Sequence, residues 1–498
     1  MATQTVARND LSRAFLFEEG LDVCCPTPHY FPCLSVDGLS QDFGDVTRIE
    51  CPDPYNYGRY IEVAQLPGEI SRMTTTLSTR LSRTELSIFR NMAVKGCGFD
   101  MHLHFGLCQK PNEFNKFDKA MIFEDVYVTN YGTDPLSALQ SSDRDGILET
   151  IDITIGNYYE IVPLNYVTRD AILAATLTPV IDSVLTSYAN CGGECENADT
   201  GCSDAFSITS DGTLLWTRNG GQTWTEGAND WDGAAVSTNV GLGYLNGYLW
   251  TFLNDANLSY VYETPGDARL DTVPVTKDGI TGNPDEVVLT DLDSGVTIGL
   301  VVGEGGFIGV VTNPANGFDS TTLGVYTVNN LNKVSFAPRS DRGVAVGDSG
   351  TVITYNDETL TALDTSGSVI ASADLTAGLF YSDKKILVGD DQGNIYCTSN
   401  PYDASAWTAI GHPLSGAGDP VTDIVMVTKH VLYAAVGADV IVSYDGGCTW
   451  SLITDNAAAS NLNAAAVIND ILVCPDDANH LILVGALSTA GYFGQGYA

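Results

Sequence analysis

The chain has 498 residues, with 23 basic and 62 acidic side chains (net charge −39), 44% hydrophobic residues and 50 glycines. That length exceeds one ordinary core, and the composition belongs to a folded, turn-rich, β-rich chain, which excludes disorder and disfavours helix-rich architectures. The acidity disfavours tight binding to outer phosphate surfaces, and no signal-peptide core or apolar window of about 18 residues is present, so a soluble protein made inside the cell and without membrane insertion is expected.

In chain order, the first clear element is "SRTELSIFRNMAVKG". Leu86, Phe89, Met92 and Ala93 fall at helical spacing, Ser82 or Thr84 can cap the start, and Gly96 can stop the end, so one amphipathic helix is expected. Strands surround it. "GFDMHLHFGL" alternates, and in "GILETIDITIGNYYEIV" Ile147, Glu149, Ile151, Ile153 and Ile155 share one face while Leu148, Thr150 and Asp152 share the other. His102 and His104, two apart on a strand, share a face as metal ligands do, but no third ligand is near them, and ordinary strand histidines are expected.

Two stretches carry a resemblance. "FDKAMIFEDVYVTNYGTDPLSALQSSDRDGILETIDITIGNYYEIV", 117 to 162, resembles the tail tube (major tail) proteins of long-tailed phages, with a Glu-Asp step, a Thr-Asp-Pro-Leu loop and a strand ending in Tyr-Tyr-Glu-Ile-Val. "YGRYIEVAQLPGEISRMTTTLSTRLS", 57 to 82, is similar to the same family's strand and Leu-Pro-Gly-Glu turn leading to a helix. The resemblance implies a β-barrel or sandwich with one flanking helix, assembling into stacked hexameric rings whose lumen conducts DNA without binding it specifically. It implies tape-measure and other tail proteins as partners, and a place in the virion tail after assembly in the host cytoplasm.

Next, "TRDAILAATLTPVIDSVLTSYANCGGECENADTG" reads as one or two helical turns broken at Pro179 and then a linker, giving expected boundaries of 1–185, 186–203 and 204–498. The linker's Cys191, Cys195 and Cys202 read as loop thiols, with a metal or a late disulfide as the alternatives. None of the 12 cysteines follows the repeated CxxC spacing of a zinc site, and without export reduced thiols are expected.

Beyond residue 200 the chain repeats. Five apolar runs end in Val-Gly, at Gly303, Gly347, Gly389, Gly437 and Gly485, with separations of 44, 42, 48 and 48 residues. Two octets, "TRNGGQTW" and "SYDGGCTW", match position by position, and their tryptophans lie 226 residues apart, five steps of the same period. In each octet Asn219 or Asp445 can accept backbone N–H groups, Gly220 and Gly221 or Gly446 and Gly447 supply positive φ, Thr223 or Thr449 re-enters a strand, and Trp224 or Trp450 buries between sheets. Units of about 45 residues with four short strands are propeller blades, and seven are counted, with a strand from before residue 204 expected as the outer strand that closes the ring.

The octets resemble the Asp-box, or BNR, repeat of sialidase-like propellers, and the Val-Gly-Asp units look like photosystem assembly-factor propellers. Sialidases of that group hold a carboxylate with three arginines, and after residue 190 this chain has only Arg218, Arg269, Arg339 and Arg342. The expected fold is mainly β: a tail-tube-like barrel or sandwich, then a C-terminal propeller of about seven blades. The expected function is a non-enzymatic tail tube subunit without cofactor, its propeller an outward decoration with host-surface glycans as a candidate partner. The alternatives are a glycan-binding adhesin or glycoside hydrolase, and a capsid or tail decoration protein that lines no channel.

Overall fold

Alternating apolar residues build the first part of the chain. The computed structural model describes residues 13–18, 24–31, 34–40, 47–52, 60–66, 72–81, 87–105, 117, 119–134, 147–161, 185–188, 204–208, 214–217, 224–226, 240–245, 248–253, 258–262, 275–277, 284–291, 297–312, 321–322, 326–337, 341–356, 359–382, 385–400, 403, 406–453, 467–474, 477–487 and 491–496. Contacts divide the chain into two units, residues 1–21 with 26–163, and residues 22–25 with 164–498.

The first unit contains β1 (Arg13–Glu18), β2 (His29–Phe31), β3 (Ser35–Ser40), β4 (Thr47–Pro52), β5 (Tyr60–Leu66), β6 (Met73–Leu81), α1 (Ile88–Lys95), β7 (Phe99–Phe105), β8 (Lys119–Asp134), β9 (Ile147–Ile155) and β10 (Asn157–Ile161). Eight strands form one antiparallel sheet in the order β2-β1-β7-β8-β9-β6-β3, with β10 also on β8, and β4 pairs with β5. Among the described residues β2 and β3 do not pair with each other, so no closed barrel is seen. Alternation fixes which face of a strand is apolar, whereas closure depends on tilt and stagger that no single strand encodes.

Strands β9 and β10 run along one edge of β8, broken at Gly156, whose N–H donates to the carbonyls of Glu124 (3.1 Å) and Asp125 (3.2 Å). A Cβ on Gly156 would stand 2.8 Å from that of Asp125, which itself has φ 53, so this bulge requires glycine on one side. Leu77, Phe99, Met101, Phe123, Val126, Ile151, Ile153 and Ile155 form the core with Phe89 and Met92 of the helix. The helix is capped by Ser87, whose Oγ accepts from Arg90 N (3.1 Å), and not by Ser82 or Thr84; Gly96 ends it at φ 66. All three hydroxyl residues qualify by type, and burial of Phe89 and Met92 selects the one that caps. The expected turns around Pro179 and the thiols Cys191, Cys195 and Cys202 lie outside the described residues.

The second unit is mainly β. Six antiparallel sheets have four strands and a seventh has three. Their first strands are Leu185–Tyr188, Val240–Leu245, Pro284–Asp291, Leu331–Phe336, Leu375–Ser382, Val421–Met426 and Val467–Cys474, and each packs on the next, with the last meeting the first. These strands surround a central axis, and the sheets radiate from it as blades one to seven. Leu185–Tyr188 pairs with Asp204–Ile208 as the innermost strand of blade one, not as an outer strand of blade seven. Among the described residues the ring is therefore closed by the approach of the first strands Leu185–Tyr188 and Val467–Cys474, with no strand of one sheet pairing into the other.

Candidate functional site

The turn that joins the last two strands of blade six is built from hydroxyl, carboxylate and glycine. Asp445 Oδ1 accepts from the backbone N–H of Cys448 (3.0 Å) and Thr449 (2.8 Å) and from Ser443 Oγ (2.8 Å), while Thr449 Oγ1 donates to Asp445 Oδ2 (2.6 Å). Ser443 Oγ in turn accepts from Gly447 N (2.8 Å). Gly446 and Gly447 have φ of 71° and 91°. Cβ atoms there would meet Lys429 O at 3.0 Å and Leu387 Cδ2 at 2.6 Å, so both positions are reserved for glycine twice over. Trp450 is buried among Leu387, Leu432 and Ile441, and its Nε1 donates to Gly447 O (3.1 Å). Of the other octet, Asn219, Gly220, Gly221 and Thr223 lie outside the described residues, and Trp224 is buried. Polar groups that bond one another and an indole turned inward make the blade-six turn a fastening.

The Val-Gly repeat has a structural cause at the seams between blades. Opposite Gly347 the first strand of blade four bulges at Asn332, and a Cβ on Gly347 would lie 1.9 Å from Asn330 O. The same irregularity recurs opposite Gly303, next to Gly389 and opposite Gly485, and a Cβ on Gly485 would lie 2.1 Å from Val467 O. Three such bulges turn a polar side chain toward the next blade. Asn332 Nδ2 donates to Leu375 O (2.9 Å), Thr376 Oγ1 to Val421 O (2.7 Å) and Thr422 Oγ1 to Ile468 O (2.5 Å). Thr376→Val keeps the shape and removes the donor, so it should lower stability by about 1 to 2 kcal/mol, the cost of leaving a half-buried carbonyl unmet; denaturant unfolding of the full chain measures it.

The residue after each bulge lies at one level of the first strands: Glu286, Lys333, Ala377, Asp423 and Asp470. Lys333 Nζ stands 3.5 Å from Asp423 Oδ1 and 3.8 Å from Asp470 Oδ1, tying blade four to blades six and seven. Asp423 Oδ2 also accepts from Ile471 N (3.1 Å). Each residue sits in an ordinary alternating strand, so nothing local in the sequence marks this triad. In the neighbouring loop of blade five, Asp390 accepts from Asn394 N (2.7 Å) and Tyr396 OH (2.9 Å), and burial followed by that bond pushes the Tyr396 phenol up to about 12.

In the first unit, one face of the sheet is polar. Thr76, Asp152 and Asn130 stand in one row across β6, β9 and β8, with Thr76 Oγ1 donating to Asp152 Oδ1 (2.7 Å) and Asn130 Nδ2 to Oδ2 (2.9 Å). These donors, Asn130 first, hold the Asp152 carboxyl below its ordinary range. Ser78 and Thr150 form the row on one side, Thr74, Thr154 and Tyr127 the row on the other. On the opposite face Glu149 is buried in line with the isoleucines, and Tyr131 OH donates to it. Burial, then that bond, raises the Tyr131 phenol. His102 and His104 are buried against Phe17 (4.8 Å between ring centroids) and against Phe15 (4.9 Å) and Phe117 (4.4 Å). Among the described residues no three His, Cys, Asp or Glu side chains are grouped to hold a metal.

Of the four arginines after residue 190, only Arg342 lies in the described residues, in strand Arg342–Gly347. One grouping that spacing along the chain does not reveal is Cys24 and Cys25 beside Cys397 and Cys448: Cys24 and Cys397 are joined by a disulfide across 373 residues, in place of the expected reduced thiols.

No protein-family model and no curated protein matches the chain. Solved structures similar to it include YCF48 from Cyanidioschyzon merolae, at 16% identity over 65% of this chain and 97% of that one, with a TM-score of 0.48. They also include the RRP9 WD40 repeats (11% identity, 65% and 100% covered, TM-score 0.48) and the WD40 β-propeller domain of Doa1 (14%, 65% and 96%, 0.44). With seven sheets radiating from one ring of first strands, the second unit of this chain is a β-propeller.

Proposed function

We propose that the chain is a structural subunit of a phage tail tube, its first unit assembling into stacked hexameric rings around a DNA-conducting lumen and its propeller carried as an outward decoration. The observation that carries this reading is the polar face of β6, β9 and β8, where the rows Thr74–Thr154, Thr76–Asp152–Asn130 and Ser78–Thr150 present hydroxyls, an amide and a single carboxylate. A wall of that kind is hydrated without being cationic, so a polyphosphate passes it without releasing counterions and sticking. The edge strands β2 and β3 supply backbone groups for pairing between copies.

The propeller takes no catalytic part in this reading. Residues after 190 carry 9 basic and 37 acidic side chains, −28 of the total −39, and such a surface on every subunit repels its neighbours and keeps particles dispersed. Tape-measure and other tail proteins are the partners it implies, and the virion tail the location. Negative-stain microscopy of the purified full chain at rising concentration should show stacked rings or tubes with a regular axial repeat. Discrete monomers or trimers that bind or hydrolyse glycans would overturn the proposal in favour of an adhesin or glycosidase.

A further inference from the structure

The four gathered cysteines belong to the second unit, to which residues 22–25 are assigned. Cys397 lies on the third strand of blade five, Cys448 in the Asp-box turn of blade six, and the Cys24 sulfur is bonded to that of Cys397 with the Cα atoms 6.1 Å apart. Cys448 Sγ donates to Cys24 O (3.3 Å), which sets Cys448 beside the backbone that leads into Cys25, and each of these two thiols perturbs the other's titration. The buried Lys385 holds the backbone in place, its Nζ donating to Cys24 O (2.8 Å) and Gly446 O (2.6 Å) and lying 4.7 Å from the centroid of the Tyr381 ring.

Adjacent cysteines are poor partners for one another, because their Cα atoms are about 3.8 Å apart while a disulfide spans about 4.4 to 6.8 Å. Two neighbouring cysteines that face two others therefore pair outward. Cys24 has done so with blade five, and Cys25 faces blade six. We propose that Cys25 and Cys448 form a second, reversible disulfide, so that residues 24 and 25 are stapled to two successive blades.

The chemistry divides the roles. Cys25 is exposed, and its thiol is held below the ordinary value first by the hydrogen bond from Cys448 and then by Lys385, against opposing effects of burial and Asp445. The Cys448 thiol is raised, first by that same bond and then by burial and Asp445, with Lys385 opposing. Cys25 is then the attacking thiolate and Cys448 the resolving thiol. With a low-molecular-weight disulfide such as oxidised glutathione as oxidant, the Cys25 thiolate attacks one sulfur and a glutathione thiolate leaves, giving a mixed disulfide. Cys448 loses its proton to solvent and attacks the Cys25 sulfur, and the second glutathione thiolate leaves. Two protein thiols are oxidised and one glutathione disulfide is reduced to two thiolates.

The test is peptide mapping by mass spectrometry of the full chain, with maleimide labelling, after oxidised glutathione or after dithiothreitol. Labelling at Cys25 and Cys448 should fall together from full to near zero under oxidation, with a 25–448 cross-linked peptide in its place, and dithiothreitol should restore both. In Cys448→Ser the reaction should stop at a glutathione adduct on Cys25, and the pH profile of Cys25 labelling should shift upward. Replacing the exposed Cys97 with Ser should change neither result. Persistent labelling of both thiols in the folded, oxidised chain would overturn the proposal. So would stoichiometric zinc on the purified protein that leaves all four sulfurs unreactive until it is chelated.

Discussion

Replacing Trp450 with Ala should lower the propeller's stability by about 3 to 5 kcal/mol, the range for emptying a buried aromatic site. The indole fills the space between blades five and six against Leu387, Leu432 and Ile441, and its N–H is already met by Gly447 O inside the same turn. The mutation therefore removes packing and also frees a carbonyl that helps to hold two glycines in the left-handed region. Thermal and denaturant unfolding of the full chain reads the loss. An unchanged midpoint, combined with lost attachment to a host surface, would mean that the tryptophan is an exposed ligand contact and that the turn is a binding site.

The second large effect is expected at the axis. Lys333→Met should cost about 3 to 5 kcal/mol, because it leaves Asp423 and Asp470 buried without the cation that faces both. The neutral double change Lys333→Met with Asp470→Asn should recover part of that loss, since fewer charges are then stranded in a dry place. Denaturant midpoints of the two variants decide the point. Equal stability of Lys333→Met and the parent chain would show that the triad is hydrated and contributes nothing.

What was legible in the sequence was whatever local physics dictates. The repeated glycine at a period near 45 residues marks the place where a Cβ would strike a backbone carbonyl, as at Gly347 and Gly485, so the period survives while neighbouring residues drift. The alternation through Ile147, Ile151 and Ile155 placed even the buried Glu149 on the inward face. Gly96 could be read as a stop because its left-handed φ suits glycine. The choice among Ser82, Thr84 and Ser87 as cap could not be read, since all three have a suitable oxygen and the decision rests on how Phe89 and Met92 pack. Closure of the first sheet, the place of Leu185–Tyr188 in the ring, the axial triad and the cysteine group share one reason for staying hidden. Each depends on residues tens to hundreds of positions apart, and a window along one chain holds no trace of their approach.

The side-chain donors at three of the bulges point the same way around the ring, while the backbone N–H groups of Phe380, Ile468 and Ile471 donate back to the preceding blade. Asn332 reaches from blade four to five, Thr376 from five to six and Thr422 from six to seven, each ending on the carbonyl just before the next bulge. Such an arrangement behaves as a one-dimensional chain of coupled units in which every unit is held by its neighbours. Loss of one blade removes restraints on both of its neighbours, so disorder should propagate around the ring from wherever it starts. The three-stranded seventh sheet, which pairs no strand with the first blade among the described residues, is the natural starting seam. Amide exchange would then begin in Gly491–Gly496 and reach Lys385–Asp390 and Leu432–Val436 only when the whole circle opens.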